Sequence, residues 1–94
     1  MTRILWSIPA QTDLAGIDAH YRAIHPEIAD RMLSAAVTSG RFLMEYPNAG
    51  RPIGDGRRRK WAVGGTPYRL LYRLDRDTVR ILRVVHAASD WTNR

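Results

Sequence analysis

The sequence predicts a two-layer α+β domain of order β-α-α-β-β-β, with two antiparallel helices packed on one face of an antiparallel sheet. Three observations predict it. Apolar residues recur at helical spacing in two consecutive stretches joined at Pro26. Three strand-like runs follow, separated by turns too short for anything but antiparallel neighbours. Finally, 94 residues hold one compact core, so both layers belong to a single domain spanning 1–94.

Arg3-Ile4-Leu5-Trp6-Ser7-Ile8 is β-branched and aromatic and ends at Pro9, which reads as a strand. Pro9 suits a first helical turn, where its missing N–H has no partner to lose. Leu14, Ile17, Tyr21 and Ile24 then mark one face of a helix from Pro9 to His25, with Asp13 near its positive end. Pro26 disfavours helical geometry at His25 and opens a second helix with Glu27 in its first turn. Ile28, Met32, Ala36, Val37, Leu43 and Met44 carry that helix to about Tyr46, before Pro47. Gly40 inside it costs about 1 kcal/mol relative to Ala, which points to close packing or a bend.

Residues 47–56 are loop by composition. Strands follow at Arg58–Val63, Tyr68–Leu74 and Thr78–Val85, joined at Gly64-Gly65-Thr66-Pro67 and Asp75-Arg76-Asp77. In the second of these, Tyr68, Leu70, Tyr72 and Leu74 share one face and Arg69, Leu71 and Arg73 the other. One face is therefore helix-covered and the other carries guanidinium groups. The last strand is apolar on both faces, Val79, Ile81 and Val85 against Leu82 and Val84, which predicts an interior position. Arg83 breaks that pattern and needs solvent or a partner.

The formal net charge is +6, and it is uneven. Residues 1–50 hold four basic and five acidic residues (net −1), and residues 51–94 hold eleven and four (net +7). Fourteen of the fifteen basic residues are Arg, which a genome rich in arginine codons explains; such a bias does not explain why the charge sits on one half. The second half is thus a surface for an anionic partner. There is no cysteine, so neither a disulfide framework nor a thiolate metal site is expected. His20, His25 and His86 fit no zinc spacing, and no cofactor motif is present. With no 18-residue apolar run and no signal-peptide core, a cytoplasmic protein without membrane association is expected.

Phosphodiester cleavage needs a base, a cation for the developing charge and an acid. Lys60, Arg69, Arg73 and Arg83 supply candidate cations, and His86 a candidate proton-transfer group. The plainer reading of His86 is a strand-end histidine bonded to backbone. The run Arg57-Arg58-Arg59-Lys60 is either a nucleic-acid patch or a solvated edge strand. Trp6 and Trp61 read as core, and Trp91 as a tail aromatic that folds back or makes contacts.

Several stretches together resemble the RelE/ParE superfamily of bacterial type II toxins. They are Leu14-Ala15-Gly16-Ile17 with Tyr21, then Tyr46-Pro47-Asn48-Ala49-Gly50-Arg51, then Val63-Gly64-Gly65-Thr66-Pro67-Tyr68-Arg69-Leu70-Leu71-Tyr72-Arg73, and finally Ile81-Leu82-Arg83-Val84-Val85-His86-Ala87-Ala88-Ser89-Asp90-Trp91. The resemblance spans essentially the whole chain and implies the same element order. It also implies one of two activities, since RelE-like members cleave mRNA in the ribosome and ParE-like members poison DNA gyrase. Of the nuclease set, Arg69 and Lys60 match. The second basic residue of the strand before the Tyr-Arg motif falls on Ala62, the one after the last strand falls on Ser89, and no tyrosine follows Tyr72. His86-Ala87-Ala88-Ser89-Asp90-Trp91 is closer to the His-Gly-Ala-Arg-Asp-like tail of ParE members. The ParE-type reading is therefore preferred: a gyrase-inhibiting toxin with no catalytic residue of its own. Its expected functional surface is Arg59, Arg69, Arg73 and Arg83, with a contact tail of His86, Asp90 and Trp91. The expected partners are gyrase, possibly with DNA, and an acidic ParD-like antitoxin that folds on binding and forms a hetero-oligomer with the toxin. The alternatives are a ribosome-dependent endoribonuclease using Arg69, His86 and Lys60, and a non-toxic binding module on the same fold.

Overall fold

The computed structural model describes residues 2–89. Its elements run β1 (Arg3–Trp6), α1 (Ile8–Arg22), α2 (Pro26–Glu45), β2 (Arg51–Ile53), β3 (Arg58–Ala62), β4 (Tyr68–Asp75), β5 (Thr78–His86) and a short 3-10 turn, Ala87–Ser89. The five strands form one sheet in the order β1-β5-β4-β3-β2, with the helical hairpin on one face. Three ladders are antiparallel, and β1 pairs with β5 in parallel, Arg3 to Thr78 through Trp6 to Ile81. The two-layer α+β architecture is as expected, and β5 is interior, between β1 and β4.

Four details differ from the sequence reading. The sheet is mixed, because β1 and β5 are separated by the whole chain and their relative direction has no local signature. It also has a fifth strand inside the presumed loop. Arg51-Pro52-Ile53 pairs with Arg58–Lys60 on the outer edge, where a proline lacking its N–H is tolerated. Helix α1 ends at Arg22, and His25 caps α2 instead, its Nδ1 accepting from Glu27 N–H at 3.3 Å. Lastly, the β4–β5 ladder is interrupted. Arg83 faces Leu71 and Ile81 faces Tyr72, so Leu82 is an extra, bulged residue. The bulge shifts the alternation. Val79, Ile81 and Val84 are buried, whereas Val85 and Arg83 fall on the opposite face.

Leu70, Tyr72, Val79 and Ile81 are fully buried against Leu43 and Ala10 of the helices. Ser7 joins the layers at the start of α1. Its hydroxyl accepts from Ala10 N–H (3.1 Å), capping the helix, and donates to Leu82 O (2.8 Å) at the bulge. Gly40 is where α2 crosses β1. A Cβ there would meet Ile4 Cδ1 at 2.7 Å and Trp6 Cζ2 at 2.8 Å, so the expected close packing is present.

The loop after α2 is held from below. Tyr72 Oη donates to Pro47 O (2.8 Å) and accepts from Gly50 N–H (2.9 Å). Its cross-strand neighbour Arg59 donates to Asn48 O (3.1 Å) and Gly50 O (2.7 Å). Burial pushes the Tyr72 phenol above its ordinary range, so it stays a neutral donor and acceptor. Gly50 must be glycine, since a Cβ would lie 2.6 Å from the Tyr72 ring and 2.8 Å from Lys60 O. Gly50→Ala is expected to destabilise the fold by about 1–3 kcal/mol. Arg76, at φ 58°, holds a left-handed position in the β4–β5 turn that favours glycine. Arg76→Gly is expected to raise stability by up to about 1 kcal/mol. Thermal unfolding of the two variants against the parent tests both signs.

Candidate functional site

Strand pairing fixes which side chains share a face, because residues directly opposite one another point the same way. Leu70, Tyr72 and Trp61 face the helices. The residues between them face away. Across the sheet this open face carries Arg51, Lys60, Leu71 and Arg83 in one row, Ala62, Arg69 and Val85 in the next, and Arg58, Arg73 and Arg80 in a third. Arg3 and Leu5 of β1 continue the face beside β5. The charge of the second half is thus concentrated on one side of one sheet.

The expected surface residues divide accordingly. Arg69, Arg73 and Arg83 share the open face. Arg59 lies on the other, in register with Tyr72, where it holds the 47–50 loop. Arg58, which the sequence offers only within the run Arg57-Arg58-Arg59-Lys60, belongs to the cationic face, as do Arg51 and Arg80. Arg51 carries no strand signal beside Pro52, and Arg80 stands in a strand that reads as apolar on both faces. Asp90 and Trp91 lie outside the described residues.

The candidate nuclease residues also divide. Lys60, which is buried, and Arg69 line a polar concavity of about 210 Å³ with Arg51 and Ala62. His86 is opposite Tyr68 on the helix-facing side, with the two rings edge to face at 5.3 Å. Its Nδ1 accepts from Ala88 N–H at 3.0 Å, the backbone-bonded arrangement. Tyr68 is pushed up to about 12 by burial and by its neighbour Tyr21, which leaves it a poor acid at neutral pH.

Arg83 has a dedicated partner. Asp13 of α1 accepts from Arg83 Nε (2.7 Å) and Nη2 (2.9 Å), and from Val84 N–H (2.9 Å). The pairing pushes Arg83 above the usual guanidinium range, so it is always charged. It also satisfies an N–H of β5 beyond the end of β1.

A second feature is apolar. Phe42 of α2 stacks on Trp61 of β3 (5.1 Å, 12° between planes) and contacts Tyr46 (4.9 Å). Phe42 is 39% exposed and Tyr46 56%. A groove of about 550 Å³ beside them is lined by Phe42, Trp61, Ala35, Thr38 and Arg31. Trp61 is therefore half core and half groove wall. Among the described residues no helix is long and apolar enough to cross a membrane.

Replacing Asp13 by Ala removes the acceptor for three donors and is expected to cost about 1.5–3 kcal/mol. Arg83→Gln removes one exposed charge, leaves Val84 N–H paired, and is expected to cost less than about 1 kcal/mol. Urea unfolding should rank the two in that order; equal losses would mean that the Val84 contact contributes nothing.

Comparison with known proteins agrees with this architecture. Residues 4–91 match the model of the ParE toxin of the type II toxin–antitoxin system parDE. The Sinorhizobium fredii toxin candidate Y4kP is 36% identical over 89 residues, covering 95% of this chain and 92% of that protein. The chromosomal ParDE toxin–antitoxin system of P. aeruginosa contains a chain with a TM-score of 0.80 and 26% identity, over 92% of this chain and 96% of that one. The RelBE2 toxin–antitoxin complex of Mycobacterium tuberculosis contains one at 0.68 and 27%, over 90% and 96%. Sequence and fold converge, and the chain belongs to the ParE toxin family of type II toxin–antitoxin systems, within the RelE/ParE superfamily.

Proposed function

We propose that the protein is a ParE-type toxin that inhibits DNA gyrase and is neutralised by a cognate antitoxin. The observation that carries the choice over mRNA cleavage is the position of His86. A proton-transfer group must come within hydrogen-bond reach of the bond it serves. His86 is on the helix-facing side, and the cations Lys60 and Arg69 are on the other. Ala62, in the wall of the cationic concavity, is a further cation missing from a nuclease-like arrangement. The open face is thus suited to holding an anion and poorly equipped to cleave one.

An antitoxin partner is supported by the structural neighbours, which are toxin–antitoxin systems. It is also supported by the Phe42–Trp61 groove with Tyr46 beside it, an exposed aromatic surface of the kind that a partner segment buries. An acidic antitoxin segment would be steered by the +7 half as well.

Expression of the chain without antitoxin tests the reading. Growth arrest with loss of gyrase supercoiling and accumulation of DNA-cleavage complexes is expected. Intact DNA with codon-spaced mRNA cuts would replace the gyrase reading with the endonuclease, and undisturbed growth would replace it with a non-toxic binding module.

A further inference from the structure

The Arg58–Arg73–Arg80 row lies on the open face away from the Arg51–Lys60–Arg69 concavity on which the choice above rests. Arg58 is opposite Arg73, and Arg73 opposite Arg80, so three guanidinium side chains stand abreast on β3, β4 and β5. Like charges placed directly opposite one another in a sheet repel. The carboxylate that meets them is Asp75, 3.6 Å from Arg73 and 3.8 Å from Arg80. Both distances are longer than a hydrogen bond. Arg80 Nε is buried without a hydrogen-bond partner among the described residues. Among the described residues the row is under-neutralised, and a polyanion laid across it would relieve the repulsion. Adjacent strands are about 4.8 Å apart, so the row spans about 10 Å. That is the scale of the grooves of B-DNA, about 6 and 12 Å wide.

We infer that this row docks the phosphodiester backbone of duplex DNA, through charge and without reading sequence. The composition of the face argues for this ligand over the two other polyanions. A protein interface has an apolar centre with aromatic anchors. Here the large hydrophobic residue exposed on the open face is Leu5, at 45%, and among the described residues no aromatic side chain lies on it. The exposed aromatics Phe42 and Tyr46 belong to α2 and its C-cap, in the other layer. Single strands are held by stacking of bases on aromatic rings, and the described residues place none on this face. Nor does any Asn or Gln stand in β2–β5 to read an adenine edge. What remains is an array of planar, permanently charged donors suited to phosphate oxygens. The inference stands beside the gyrase reading, since it requires DNA alone.

The test is fluorescence anisotropy of the full chain with a labelled mixed-sequence duplex over a range of salt concentrations. Binding should weaken as salt rises, because each phosphate contact contributes a slope of about −0.9 in log K against log salt. Arg58→Gln, Arg73→Gln and Arg80→Gln should each flatten the slope by about 0.9, and the triple variant by about 2.7. The single variants keep the test usable if the triple variant does not fold, which circular dichroism reports. A charge-matched control, Arg22→Gln with Arg31→Gln and Arg41→Gln in the helical layer, should leave the slope close to that of the parent. Absence of duplex binding at low salt overturns the inference, as does an equal loss in the control. Tighter binding to the single strand, or displacement of duplex by polyglutamate at matched charge, overturns it in favour of a different polyanion. No gyrase is present, so failure here leaves the supercoiling result untouched, and failure of that result leaves this one untouched.

Discussion

Leu82 has no partner across the β4–β5 ladder, and the side-chain alternation of β5 differs before and after it. A regular ladder through this point would turn Arg83 and Val85 toward the helices and Val84 away from them. The core would then have to hold a guanidinium beside Leu70 and Tyr72, both fully buried. One extra residue avoids this, and it brings Arg80 and Arg83, three positions apart, to the same face. A bulge leaves backbone groups off the ladder, which must be satisfied elsewhere. The start of α1 does so. Ser7 N–H donates to Ile81 O (3.0 Å), its hydroxyl to Leu82 O, and Asp13 accepts from Val84 N–H and from Arg83 itself. The irregularity in the sheet and the placement of the helical layer are one arrangement of hydrogen bonds.

The architecture was legible because its causes are local. Pro9 and Pro26 set helix starts, apolar spacing marked the buried stripes except at Ile24 and Val37, which are exposed, and short turns forced the β3-β4-β5 meander. Gly40 was legible as a close approach because glycine is costly in mid-helix. The features that escaped depend on distant partners. Strand β2 is three residues long and contains a proline, and it exists only because Arg58–Lys60 lies beside it. The bulge lies in Ile81-Leu82-Arg83-Val84-Val85, where near-continuous apolar sequence hides any change of alternation. Arg59 looked like one of four surface cations, and only its register with Tyr72 shows it bonded to two loop carbonyls.

These placements divide the molecule into two surfaces of different chemistry. The edge where α2 meets β3 is aromatic and grooved, and the open face of the sheet is cationic and nearly free of exposed apolar side chains. The division follows from the pleat. Trp61 and Lys60 are adjacent in sequence, yet one joins the Phe42 stack and the other the Arg51–Arg69 concavity. A protein segment and a polyanion therefore need not compete for the same residues, although both are attracted by the same overall charge.

The same parity bears on the choice between holding a phosphate and breaking it. Within the superfamily the fold is shared, so the choice rests on individual side chains. Electrostatic stabilisation requires cations around the phosphate, and Arg51, Lys60 and Arg69 are positioned as such a set. Cleavage further requires a group that moves a proton at neutral pH. The candidate on β5, His86, is packed against Tyr68 on the far side of the sheet, and Tyr68, raised to about 12, is no substitute. To bring a strand-end proton donor onto the cationic face, β5 would have to shift by one residue and bury Arg83. The arrangement that keeps the core dry thereby holds His86 away from the cationic face, which is the physical basis of the proposed preference for binding a phosphate over cleaving it.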